Sequence, residues 1–187
     1  VDLQLARLDL DAATLGKFVI LLADPPWRYE NPPMGGGNRS IENHYPTMTL
    51  QEICAMPVAE IAHENALLYL WATAPKLAEC EKVIEAWGVT YRTNLVWVKD
   101  QIGMGYHARN QHELVLIAKR GELAPPPPEL RPSSVFEAPR AAHSEKPDRL
   151  HEIIETCYPT VSRRVELFAR KTRPAWFCWG NEVNGHA

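Results

Sequence analysis

The chain has 187 residues, 45% of them hydrophobic and 23% charged, with a formal net charge of −3. Such a chain suits one globular domain over residues 1–187, and its charge does not announce a nucleic-acid binder. Its apolar runs fall well short of the roughly 20 residues a membrane span needs, so no membrane association is expected.

The N-terminus mixes Asp2, Arg7, Asp9 and Asp11 and lacks a signal-peptide pattern, which favours a cytoplasmic location. The chain begins at Val1 rather than Met, so whether it is trimmed stays open. Cys54, Cys80, Cys157 and Cys178 form no C-x-x-C pair and read as scattered reduced thiols rather than a zinc ribbon. No histidine has metal-ligand spacing, so no metal site is expected. Asn38-Arg39-Ser40 matches a glycosylation sequon by chance.

Phe18 to Ala23 is a continuous apolar run stopped by Asp-Pro-Pro, which predicts a strand buried on both faces. Leu50 to Met56 predicts a short helix with Thr49 as N-cap. Ala66 to Trp71 predicts a second buried strand. Pro75 to Trp87 predicts a helix: Pro75 suits the first turn, Leu77, Cys80, Val83, Ile84 and Trp87 share a face, and Gly88 ends it. Strands follow at Thr93 to Val98 and Glu113 to Ala118. Asp148 to Cys157 predicts a helix with Leu150, Ile153, Ile154 and Cys157 on one side. Val165 to Ala169 and Trp176 to Trp179 predict two more strands, and Trp71, Trp87 and Trp97 are read as core.

This alternation predicts an α/β fold with a largely parallel sheet, which binds ligands beyond the carboxyl ends of its strands. Three segments read as loops: 28–46, 100–112 and 121–142, the last with Pro125 to Pro128. The first two follow strand ends, where a substrate lid would sit. Arg163, Arg164, Arg170, Lys171 and Arg173 crowd one stretch and leave room for a local basic surface despite the acidic total.

Asp24-Pro25-Pro26-Trp27 stands at the end of the first predicted strand. The prolines fix φ and drive a stiff, non-helical exit. Asp24 and the Pro25 carbonyl can act as an acceptor pair, and Trp27 can stack on a base. Two acceptors gripping both N–H groups of an aromatic amine favour a more tetrahedral nitrogen and free its lone pair. In duplex DNA the base would first have to flip out.

The chain resembles the MT-A70 family of adenine-N6 methyltransferases, in its bacterial and phage branch. The resemblance rests on Leu15-Gly16-Lys17-Phe18 running into Ala23 to Trp27, His44 to Met48, Leu70 to Thr73, Val96 to Lys99, His143 to Pro147, Glu166 to Arg170 and Trp179 to Glu182. It implies a Rossmann-like S-adenosylmethionine (SAM) methyltransferase fold, a mostly parallel sheet flanked by helices, in circularly permuted motif order. Phe168-Ala169-Arg170 then replaces the usual glycine-rich cofactor loop.

The resemblance further implies that Asp24, Pro25, Pro26 and Trp27 are catalytic and that Lys146, Arg170, Asn181 and Glu182 help hold SAM. Lys146 or Arg170 would pair with the cofactor carboxylate, and Asn181 and Glu182 would bond ribose hydroxyls. His143 and Ser144 would line the cofactor edge. Tyr45 would cover the substrate pocket, and Lys99 and Asn110 would contact phosphate or base. The expected reaction is direct methyl transfer from SAM to adenine N6, leaving S-adenosylhomocysteine.

The implied partner is nucleic acid, DNA favoured over RNA on the bacterial and phage branch, although eukaryotic relatives methylate mRNA. A homodimer or a partner protein stays open. The rival readings are methylation of a different acceptor, an RNA adenine-N6 methyltransferase, and a non-catalytic nucleic-acid-binding subunit of the same family. With no separate DNA-binding module, recognition would fall to the loops, the arginine cluster or a partner.

Overall fold

The computed structural model describes residues 17–29, 47–103, 105, 107–140 and 145–183. In chain order the elements are β1 (Phe18–Ala23), α1 (Leu50–Cys54), α2 (Val58–Ile61), β2 (Ala62–Ala72), α3 (Leu77–Ala86), β3 (Thr90–Lys99), β4 (His112–Arg120), β5 (Val135–Ala138), α4 (Arg149–Cys157), β6 (Arg164–Leu167) and β7 (Phe177–Trp179).

The predicted elements recur with shifted ends. The first helix stops at Cys54, and after Pro57 a second short helix follows. The N-terminus of α1 is closed by a capping box in which Thr49 and Glu52 bond each other's backbone N–H. Pro75 lies in a 3-10 turn, Ala74–Lys76, ahead of α3. Gly88, with φ of 71°, supplies the left-handed turn beyond α3. The strand predicted to run through Ala169 stops at Leu167, because Phe168 turns left-handed with φ of 64°. The predicted 121–142 loop contains β5, which pairs in parallel with β3 from Val96↔Val135 to Lys99↔Ala138. Only four residues long, it carries too short a pattern to stand out from its proline-rich surroundings.

The seven strands form one sheet in the order β5-β3-β4-β2-β1-β6-β7. β1 pairs in parallel with both β2 and β6, β6 with β7 and β3 with β5, while β4 runs antiparallel to β2 and β3. The sheet is therefore mixed, with a mostly parallel Rossmann-like core.

Strand alternation divides the core between the two faces. Leu21, Ala23, Leu68 and Leu70 pack with Ile53, Val58, Cys80 and Val83 of α1, α2 and α3. Ile20, Leu22, Tyr69, Trp71 and Trp97 pack with Leu150, Ile153 and Ile154 of α4. Trp87 is fully buried and donates its indole N–H to the Ile53 carbonyl at 3.0 Å, tying the end of α3 to α1.

Connectivity sets the location of the site. The chain runs from β1 outward through one wing, then returns to lay β6 and β7 on the other side of β1. The order thus reverses between β1 and β6, and open α/β sheets bind ligands beyond the carboxyl ends of strands at such a point. The Asp24-Pro25-Pro26-Trp27 segment comes first and the β6–β7 elements last, the order that the permuted resemblance implies.

Candidate functional site

Asp24 follows the last residue of β1 and stands two residues beyond Leu22, so alternation aims it at the α4 side of the sheet. The same rule aligns Trp71 on β2, Trp97 and Lys99 on β3 and Glu113 on β4. Trp97 lies directly opposite Glu113 in the β3–β4 register, and Trp71 lies opposite Val115. Because β4 is antiparallel, its amino end delivers Glu113 to the edge where its neighbours deliver their carboxyl ends.

A row of alternating charges results. Lys146 Nζ lies 3.3 Å from Asp24 Oδ1 and 3.2 Å from Glu113 Oε2, and Lys99 Nζ lies 2.6 Å from Glu113 Oε1. Two indole rings underlie it. Lys146 sits 5.5 Å from the Trp71 centroid and Lys99 5.0 Å from that of Trp97, and the rings meet edge to face at 5.8 Å. Two carboxylates and two ammoniums balance to zero, which lets the row persist half-buried.

Burial pushes the Asp24 carboxyl above the usual aspartate value; Lys146 pulls it down and Glu113 pushes it up. Burial would also raise Glu113, but the Lys146 and Lys99 ammoniums outweigh it and hold that carboxyl below its ordinary value. Lys146 is held protonated: burial opposes its charge, and Asp24 and Glu113 more than offset that.

The Asp-Pro-Pro-Trp exit is as stiff as its prolines predict, but its carbonyls are already in use. Pro25 O accepts the Trp27 N–H at 2.9 Å, and Pro26 O accepts the Met48 N–H at 2.7 Å. The Pro25 carbonyl keeps one lone pair for a ligand. Trp27 departs from expectation: it is 5% exposed, packs in the core beside Met48 and leaves its indole N–H buried without a partner. Its ring offers no open face for stacking here, because the bridge to Met48 turns it inward.

Other expected site residues divide into groups. Lys146 and Lys99 meet in the charge row rather than standing free for a cofactor carboxylate or a phosphate. Arg170 pairs with Glu182 at 2.8 Å, both side chains more than two-fifths exposed. Asn181 and Glu182 are exposed just past β7. Asn110 accepts the Gly103 N–H through its carbonyl at 2.7 Å, inside a β3–β4 hairpin extension also held by Lys99 N–H to Gln111 O. Tyr45, His143 and Ser144 lie outside the described residues, as does the stretch 30–46 of the first predicted lid.

Gly180 permits a close crossing just past β7. A Cβ there would meet Ala169 O at 2.2 Å and Ala169 N at 2.7 Å, where Ala169 donates its N–H to Trp179 O.

Among the described residues, much of the C-terminal basic stretch is already paired with carboxylates, Arg163 and Arg164 excepted. Lys171 pairs with Glu145 and Asp148, Arg173 with Asp148, and Arg164 is buried. These pairs clamp both flanks of Lys146 to the loop after β6. Sequence reasoning missed Glu113 and the seating of Lys146 on Trp71. A glutamate opening an otherwise apolar strand was the available signal, but its partners lie 14 and 33 residues away by sequence number.

A family profile described as MT-A70 matches residues 18–182. The chain is 29% identical over 183 residues to the Type II methyltransferase M.MunI of Mycoplasma sp, covering 89% of this chain and 78% of that protein. It is 28% identical over 188 residues to the N(6)-adenine-specific methyltransferase METTL4 of Mus musculus, covering 89% of this chain. It is 27% identical over 189 residues to the N(6)-adenosine-methyltransferase catalytic subunit METTL3 of Homo sapiens, covering 94% of this chain. It spans only 37% and 30% of those two mammalian proteins.

Proposed function

Because this chain belongs to the MT-A70 family, we propose that it transfers a methyl group from SAM to the N6 amine of adenine in nucleic acid, with DNA as the polymer. The observation that carries the reading is the Asp24–Lys146–Glu113–Lys99 row, whose Asp24 end stands where strand order reverses. DNA is preferred on the bacterial and phage branch that the sequence segments resemble. The Type II methyltransferase is also the relative named above that this chain covers most fully.

The donor set at this edge fits SAM. An amide and a carboxylate, Asn181 and Glu182, stand exposed past β7 and suit a ribose diol. Arg170 orients that carboxylate through its ion pair. Bound SAM supplies a methyl already activated on a sulfonium, so the protein's own contribution is positioning and lone-pair release.

The Asp24 carboxylate accepts one N6 proton in a hydrogen bond, and the remaining lone pair of Pro25 O accepts the other. Lys146 holds Asp24 in place and keeps it ionised against its burial. Glu113 in turn fixes Lys146, and Lys99 fixes Glu113. Once the amine has been alkylated, its excess proton leaves to Asp24 or to solvent. A carboxyl raised above the usual aspartate value accepts that proton more readily than an ordinary one.

The test is transfer of labelled methyl to matched DNA and RNA oligonucleotides, single- and double-stranded, with the product digested to nucleosides. N6-methyladenine in DNA is expected. Asp24→Ala should abolish turnover while SAM binding largely persists; near-normal turnover in that variant would sink the assignment. Label on another nucleoside, or on RNA alone, would overturn the acceptor or the polymer.

A further inference from the structure

A recess opens at the opposite edge of the sheet, about 20 Å along β1 from Asp24. It is a pocket of about 220 Å³ lined by Phe18, Ser162, Arg163, Arg164, Trp176 and Phe177. Phe18, Arg164 and Phe177 are the first residues of β1, β6 and β7, so the pocket faces away from the Asp24 site.

Its chemistry centres on Arg164, 7% exposed. One terminal nitrogen donates to the Tyr158 carbonyl at 2.8 Å, whereas Nε is buried without a partner. Among the described residues no carboxylate lies within ion-pairing distance of it. The other buried basic side chains differ: Lys76 holds Glu79 at 2.8 Å, and His151 meets Glu166 at 2.9 Å. A lysine or histidine could shed its proton in such a place, but a guanidinium cannot. A buried guanidinium without a counter-charge is costly, and an anion beside it removes that cost.

Arg163 supplies a second cation on the rim. Its guanidinium lies 5.5 Å from the Phe18 centroid and likewise has no carboxylate partner among the described residues. Phe18 and Phe177 pack at 5.7 Å as an apolar wall. Two guanidiniums offer the planar donor forks that suit phosphate or carboxylate oxygens.

We propose that this recess is an oxyanion site separate from the Asp24 site. It takes a phosphate or carboxylate group against Arg163 and Arg164, with the ligand's organic part along Phe18 and Phe177.

The test reads the arginine Nε–H resonances of the full chain in ¹H–¹⁵N spectra at constant ionic strength. Inorganic phosphate, adenosine monophosphate and benzoate are titrated separately, with chloride as control. The Arg164 Nε–H signal, assigned by through-bond correlation to its own backbone, should shift saturably with at least one of the three. Whichever acts at the lowest concentration identifies the ligand class: bare phosphate, phosphate on an aromatic nucleoside, or aromatic carboxylate. Arg163→Ala, on the exposed rim, should weaken that binding about tenfold or more. An Arg164 signal that moves no further with all three than with chloride overturns the proposal. So does a saturable shift that Arg163→Ala leaves unchanged.

Discussion

Glu113→Gln offers the sharpest test of the charge row. The substitution keeps side-chain shape and one acceptor but removes the anion shared by Lys99 at 2.6 Å and Lys146 at 3.2 Å. At an effective dielectric of about 20, the second contact alone corresponds to roughly 5 kcal/mol of gross Coulomb attraction. Net losses are smaller. Removing one partner from a buried pair costs about 3–5 kcal/mol, and the retained acceptor places this variant near 3. In a chain of this size that lowers the melting midpoint by about 6–12 °C.

The pH profile carries the sharper sign. Asp24 must be ionised to accept the amine, and its carboxyl titrates above the usual aspartate value. Activity is therefore present above that pKa and lost as pH falls through it. Glu113 pushes the Asp24 pKa up and divides the Lys146 charge, so Glu113→Gln should move the acidic limb of kcat/KM to lower pH. Lys146→Met should move it higher. Profiles of kcat/KM against pH, measured beside thermal melts, check both. An acidic limb that stays put or rises in Glu113→Gln would refute the coupling.

Trp27→Ala should destabilise by about 3–5 kcal/mol, as expected for a buried indole. Trp27→Phe should cost clearly less, since the indole N–H has no partner to lose; equal melting shifts in the two would contradict the packing described. Arg170→Ala breaks an exposed pair worth less than about 1 kcal/mol. Its melting should barely move while SAM affinity, followed by titration, drops about tenfold. Gly180→Ala forces a Cβ against Ala169 O and should cost about 1–3 kcal/mol, with weaker SAM binding in the same titration.

Much of the fold was legible because its signals are local. The Phe18–Ala23 run and its Asp-Pro-Pro stop mark β1 and the site after it. The apolar stripes of α3 and α4 and Gly88 are equally plain. Segment ends were less so: Leu50 to Met56 breaks before Pro57, and β5 hides in a proline-rich stretch. In the basic C-terminal stretch composition counts charges without showing that, among the described residues, Arg170, Lys171 and Arg173 are paired with carboxylates while Arg163 and Arg164 are not.

The sequence by itself determined the Asp-Pro-Pro-Trp exit, the family resemblance and the strand that carries Asp24, because dihedral limits and apolar periodicity act within a few residues. Only the tertiary structure decided that Glu113 closes the charge row, that Lys146 serves Asp24, and that Trp27 faces inward. Antiparallel β4 brings position 113 to the edge where positions 24 and 99 end, and no local pattern encodes that register. Whether a lysine meets a carboxylate or stays free is fixed only when distant strands are packed side by side and water is excluded between them.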